Sequence, residues 1–185
     1  MDLKKLDSKP KKKNEFCLNS NPGPMSKILS IIPYSDEHQT AFKSLNEAWI
    51  DQYFKMEEMD HRSLGNPKQY ILEPGGYIAV ALNGDEVVGV CALVPCHKEG
   101  YDFELAKMGV LENQRGLGIG KALAIHIIEK ARAMGAKKLF LESNRILQPA
   151  LSLYRKLGFV EVNGVPSPYE RSDIQMELDL FRGQL

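Results

Sequence analysis

Three alternating glycines separate a strand-like run from a helix-like run near the middle of this 185-residue chain, and that junction restricts what its neighbours can become. Arg115-Gly116-Leu117-Gly118-Ile119-Gly120-Lys121 follows the run Phe103 to Val110 and precedes Leu123 to Met134, where Leu123, Ile127, Ala131 and Met134 recur at helical spacing. A helix that opens on a glycine-rich turn leaves its first backbone N–H groups unpaired, beside the positive end of the helix dipole and free of side-chain cover. Such a turn is suited to holding a phosphate, and Arg115 and Lys121 add full positive charges at its two ends.

The rest of the chain reads as one domain around this junction. Residues 1–27, with six lysines by Lys13 and then Asn, Ser, Pro and Gly, lack any apolar period and read as a flexible N-terminal extension, leaving 28–185 as the folded domain. Ile28 to Ile32 predicts a short strand ended by Pro33. Asp36 with Gln39 resembles a helix cap ahead of Phe42, Leu45 and Trp49. The mixture of aromatics, methionines and acids from Phe54 to His61, followed by Gly65-Asn66-Pro67, reads as loop or irregular helix. Tyr77 to Leu82 and Val87 to Val94 flank an Asn83-Gly84 turn, the strongest hairpin signal in the chain, and Phe103 to Val110 extends it to a three-strand meander. Gly109 inside that third strand marks a bulge, a close approach by a ligand, or a packing constraint.

After the glycine turn and its helix, Lys138 to Glu142 predicts a strand reached by a parallel crossover, which makes the sheet mixed. A short helix opens at Pro149, carries Leu151, Tyr154 and Leu157, and stops at Gly158. Phe159 to Val162 and Asp173 to Leu180 complete an α/β domain with helices flanking a mixed sheet.

The totals exclude several partners. Lys plus Arg equals Asp plus Glu at 24 each, so no global field points to nucleic acid or to an acidic membrane. Cysteines at 17, 91 and 96 form neither a disulfide framework nor a C-x-x-C pair, which fits a reducing, cytoplasmic setting, and Cys91 reads as a small core hydrophobe. No apolar stretch reaches membrane-spanning length. His38, His97 and His126 have no partners at metal-ligand spacing, so no metal is expected.

Two familiar phosphate loops fail at Arg115–Lys121. A P-loop requires a first glycine where Arg115 stands and Ser or Thr where Ala122 stands. The dinucleotide fingerprint would place its third glycine on Lys121, and five residues separate Val110 from Gly116 where that motif turns at once.

The pattern Arg-x-x-Gly-x-Gly from Arg115 to Gly120 resembles the pyrophosphate loop of the GNAT superfamily, the acyl-CoA-dependent N-acetyltransferases. The later stretch from Leu141-Glu142-Ser143-Asn144 through Leu153-Tyr154-Arg155-Lys156-Leu157-Gly158-Phe159 resembles that family's second signature, and the element order from about Ile28 to Leu180 agrees. The resemblance implies a GNAT-like sheet splayed between its fourth and fifth strands. It further implies that Arg115, Gly116, Leu117, Gly118, Ile119, Gly120 and Lys121 hold the pyrophosphate of acetyl-CoA, that the pantetheine arm lies along Met108, Gly109 and Val110, and that Asn144 bridges pantetheine and helix backbone.

On the same footing, Tyr154 corresponds to the general acid and Glu104 to the general base that some members of the family use. A bulge near Met108 to Val110 would free a backbone N–H for the carbonyl oxygen. Glu57, Glu58 and His61 fall in the segment that lines the acceptor side, where acids suit a cationic amine. The activity implied is acetyl transfer from acetyl-CoA to a primary amine of a small molecule or peptide by direct attack in a ternary complex. The rival readings are a non-catalytic acyl-CoA sensor and acetylation of a protein N-terminus or lysine. Exposed strand edges leave room for a homodimer.

Overall fold

The hairpin signal produces a hairpin, shifted by one residue. In the computed structural model, which describes residues 29–164 and 166–181, β2 (Tyr77–Asn83) pairs antiparallel with β3 (Glu86–Pro95), and Asn83 lies opposite Glu86. The two-residue turn is therefore Gly84-Asp85 and not Asn83-Gly84, with Gly84 at φ +66. Side chains alternate along β2: Ile78 and Val80 enter one core, Ala79 and Ala81 the other. Both faces of the sheet are thus covered. The extension at 1–27 lies outside the described residues.

The strand order is β1-β2-β3-β4-β5-β7-β6, with β1 (Leu29–Pro33), β4 (Phe103–Val110), β5 (Lys138–Ser143), β6 (Val160–Val162) and β7 (Ile174–Asp179). Every neighbouring pair is antiparallel except β4 and β5, which run parallel across the helical crossover. On one face α1 (Gln39–Tyr53) and α2 (Glu58–Gly65) pack through Phe42, Leu45, Ile50 and Leu64. On the other, α3 (Ile119–Ala133) and α4 (Gln148–Lys156) pack through Leu123, Ile127 and Leu151. Met134, expected on the buried face of α3, ends that helix half exposed.

Two local expectations change. The cap before α1 is Ser35, not Asp36: the Ser35 N–H donates to His38 Nδ1 at 2.9 Å, closing a capping box over a single 3-10 turn, Asp36–His38. The passage read as loop or irregular helix contains the regular helix α2, because Glu57 and Asp60 form a second capping box, with the Glu57 N–H donating to Asp60 Oδ2 at 3.1 Å. A π-helical turn, Lys68–Leu72, follows it.

Candidate active site

Strands β4 and β5 touch only at their beginnings. Phe103 is opposite Leu139 and Glu104 opposite Phe140, and no further pair forms. From Leu105 onward the β5-facing edge of β4 is unpaired, which leaves backbone donors and acceptors for an extended ligand. A cleft of about 270 Å³ occupies this splay.

A bulge in β4 distributes the side chains around the cleft. Val90 pairs with Gly109 and Ala92 with Ala106, so Cys91 faces both Lys107 and Met108. Lys107 has φ +51 and is the one non-glycine residue with positive φ among those described. The bulge therefore centres on Lys107 and not on Gly109. Gly109 has a packing reason instead: a Cβ there would sit 2.7 Å from the Leu45 carbonyl oxygen of α1.

The bulge also breaks the expected period. Met108 packs with Leu105 against the α3–α4 side, instead of sharing a face with Glu104. Lys107 turns toward α2 on the face that carries Glu104, although an unbroken strand would put residues three apart on opposite faces.

Glu104 lines the cleft. Burial raises its carboxyl to about 7, and the charge of Glu142 across the splay adds to the effect. Glu142 is itself held by Lys98 Nζ at 3.2 Å and Gln175 Nε2 at 3.0 Å through Oε1, while its buried Oε2 has no hydrogen-bond partner among the described residues. Lys98, paired with Glu142, and Lys107 on β4 both pull the Glu104 carboxyl back down, but burial and the Glu142 charge outweigh them.

Tyr154 reaches the same cleft from the α3–α4 side. It is buried beside Phe159 and Cys91, and desolvation lifts its phenol above the usual range, so it holds its proton. Cys91 is a buried, free core thiol, as its sequence context suggests, and burial raises it in the same way.

At the mouth, Gly116 and Gly118 take φ +80 and +83, a conformation that strains any residue with a Cβ. The helical ladder of α3 begins with Ala122 N–H to Gly118 C=O, so the amides of residues 119–121 precede it. Arg115's own amide is already donated to Glu112 C=O at 3.2 Å, so the free-amide cradle spans 116–121 and excludes Arg115. The Arg115 side chain extends toward Gln52 Oε1 at 3.4 Å and lines the cleft, whereas Leu117 and Lys121 are exposed. At Gly120 a Cβ would meet Met108, Val110 and Leu153 at 3.7 Å or more. Packing alone does not demand glycine there, and the bare backbone leaves room for a bound group. Open amides, adjacent cations and a free strand edge fit a pyrophosphate followed by an extended pantetheine.

Asn144 lines the cleft with both ends of its amide engaged: Nδ2 donates to Arg171 C=O at 2.7 Å, and Oδ1 accepts from Ile146 N–H at 2.9 Å. These two bonds tie together the segments at 144–146 and 171 and leave the amide one further N–H and one further lone pair for a ligand. The acceptor-side expectation shifts most. Glu58 is exposed and pairs with Arg62 on its own helix, His61 is exposed, and Glu57 accepts from Arg171 Nη1 at 2.9 Å; none of the three lines the cleft.

In their place stand residues that the sequence did not single out. Fully buried Asp60 binds Lys107 Nζ at 2.7 Å and Arg171 at 2.6 and 2.9 Å, and Lys107 also donates to the Tyr169 hydroxyl at 3.0 Å. Burial opposes ionisation of Asp60, but the Arg171 hydrogen bond and the Lys107 charge outweigh it and hold the carboxyl below its ordinary value. The positive φ of Lys107 carried no sequence signal, since glycine is the residue that such a backbone normally selects.

The fold and this site define an acyltransferase-type domain. The acetyltransferase (GNAT) family profile matches residues 41–159, and the chain belongs to that family. It is 39% identical over 97 residues to the uncharacterized N-acetyltransferase YjgM of Escherichia coli K12, covering 51% of this chain and 58% of that protein. The chain thus spans about half the length of the curated relatives it matches. A GNAT acetyltransferase from Staphylococcus aureus Mu50 superposes with TM-score 0.74 at 21% identity, covering 82% of this chain and 99% of that one. yncA from Salmonella typhimurium, solved with its cofactor acetyl-CoA, superposes with TM-score 0.65 at 17% identity, covering 82% and 94%. No helix among the described residues is long and apolar enough to cross a membrane.

Proposed function

We propose that the protein transfers an acetyl group from acetyl-CoA to a primary amine by direct attack in a ternary complex. One observation carries the reading: Glu104 and Tyr154 approach the same splay from opposite faces of the sheet, beside the unpaired edge of β4 and the open N-terminus of α3. Acetyl-CoA supplies a thioester whose C–S bond is exchanged for a C–N bond to the amine, with CoA leaving as the thiol. Amides 116–121 with the charge of Arg115 hold its pyrophosphate, and Met108 to Val110 offer backbone groups to its arm.

Glu104, with its carboxyl at about 7, is half ionised near neutrality and takes the proton that an ammonium must shed before it can attack. The bulge at Lys107 and Met108 interrupts the β3 ladder, and a backbone N–H freed there would stabilise the carbonyl oxygen as it gains charge. Tyr154 gives its phenolic proton to the departing sulfur and recovers one from solvent. Apolar surroundings raise a thiol along with a phenol, as they do Cys91, so the transfer is not uphill by the whole shift of the tyrosine.

The test is thiol release from acetyl-CoA across a panel of primary amines. Wild type should turn over with at least one amine, and Tyr154→Phe should lose about 10²-fold in kcat while keeping its affinity for CoA. A Tyr154→Phe enzyme as fast as wild type would remove the tyrosine from the reaction. The absence of thiol release with every amine would leave a non-catalytic acyl-CoA sensor as the reading.

A further inference from the structure

The acceptor end of the cleft carries two opposite poles. Glu104 and Glu142 supply negative charge at the point where β4 and β5 part. On the same side, Lys107, Tyr169 and Arg171 line the wall, while the acids that pair with them, Asp60 and Glu57, stand behind and do not reach the cleft. The network is therefore oriented, with its anions inward and its cations toward the ligand space.

Its donors are not exhausted. Lys107 Nζ has three N–H groups and gives two, to Asp60 and Tyr169. Tyr169 accepts from Lys107, so its own O–H remains to be donated. Arg171 gives Nη1 to Glu57 and Asp60 and one Nη2 hydrogen to Asp60, which leaves Nε–H and the second Nη2 hydrogen. The Arg171 guanidinium also lies 4.5 Å from the Tyr169 ring centre, so the two side chains brace each other. Donors fixed by a buried carboxylate are ordered before any ligand arrives, and such groups discriminate strongly for an oxyanion partner.

We infer that the acceptor is a primary amine bearing a carboxylate, bound as a zwitterion with its ammonium at Glu104 and its carboxylate at Lys107, Tyr169 and Arg171. The inference rests on the acyl-transfer reading and moves the site for the ammonium from Glu57 and Glu58, where the sequence expectation put acids suited to a cationic amine, to Glu104. Arg171→Met or Lys107→Met alone would strand the buried charge of Asp60 and endanger the fold. Tyr169→Phe removes a donor without removing a charge, and Asp60→Asn combined with Lys107→Met removes one charge of each sign.

The experiment compares matched acceptors with wild type: L-amino acids, their carboxamides, and the amines left by removing the carboxylate. Thiol release should favour the amino acid over its carboxamide by about tenfold or more in kcat/KM. That ratio should fall toward one in Tyr169→Phe and in the Asp60→Asn, Lys107→Met pair, and because it is a ratio any general loss of activity cancels. Equal or better use of carboxamides and simple amines, or a ratio unmoved in both variants, overturns the inference while acyl transfer stands. Calorimetry with N-acetyl amino acids and N-acetyl amino acid amides, on protein saturated with CoA, separates the reverse case. Selective binding of the carboxylates without thiol release from any acceptor would keep the carboxylate site and remove the activity. Equal binding of both, without thiol release, removes both.

Discussion

Glu104 illustrates how position changes the acidity of a carboxyl, and so fits it for the role proposed above. On an exposed strand it would ionise near 4.5, but burial and the neighbouring Glu142 carry it to about 7. A base must be anionic, so kcat/KM should climb with pH and level off above about 7, and Glu104→Gln should lose both that limb and about 10²-fold or more in rate. The stability effect has the opposite sign. Because the folded-state value is raised, the carboxyl's contribution to stability is fully present below its unfolded value of 4.5 and is lost as pH rises through about 7. Glu104→Gln should therefore match wild type in denaturation at pH 4 and exceed it by on the order of 3 kcal/mol at pH 8. A rate profile that is flat from pH 5 to 9 in wild type would assign proton removal to water. The positions of Glu104 and Tyr154 at the cleft were legible only through the family resemblance, Tyr154 by the signature around it and Glu104 by its place in the strand ahead of the glycine loop. Asp60, Lys107 and Arg171 were not, because Asp60 meets Lys107 across 47 residues and Arg171 across 111, and no local period encodes such a meeting.

At the level of elements, alternation and caps were readable wherever one face of a segment is buried. β2 and β3 followed their apolar pattern to within a residue, and α4 began one residue before its proline. Helix α2 was hidden because its signal is a capping box between two acids, Glu57 and Asp60, in a run that otherwise looks like a solvated loop. Gly109 showed that something special happens in β4 but not what: the bulge is two residues earlier, and the glycine admits α1. Gly109→Ala would press a Cβ to 2.7 Å from the Leu45 carbonyl oxygen and 3.2 Å from the Leu45 Cβ, and backbone cannot yield as a flexible side-chain end can. The helix must lift from the sheet. Gly109→Ala should cost about 1–3 kcal/mol in chemical denaturation and should weaken CoA binding through the displaced strand edge. Wild-type stability in that variant would show that α1 moves aside freely.

Across the whole molecule, the site exists because the sheet is two half-sheets that share a short seam. β1 to β4 form one half and β5 to β7 the other, and only Phe103 and Glu104 pair across the join. Just outside the seam, Asp102 fastens the halves: its Oδ2 accepts from Lys137 N–H at 2.7 Å and Lys138 N–H at 3.0 Å, and its amide donates to Lys138 C=O at 3.2 Å. The two backbone N–H groups also hold the Asp102 carboxyl below its ordinary value, so the clasp works above pH 3.8 and is lost as pH falls through the depressed folded-state value. Asp102→Ala leaves those amides to water, with an expected loss of about 1 kcal/mol and a fall in Tm of roughly 2–4 °C. Because the same clasp fixes where the two halves begin to diverge, KM for acetyl-CoA should rise in Asp102→Ala even though the residue stands away from the cofactor loop. Asp102→Asn keeps an acceptor oxygen for the same amides and should fall between Asp102→Ala and wild type in both measurements. If Asp102→Ala loses stability while its KM for acetyl-CoA stays at the wild-type value, the width of the splay is set by the helices packed on either face and not by the seam.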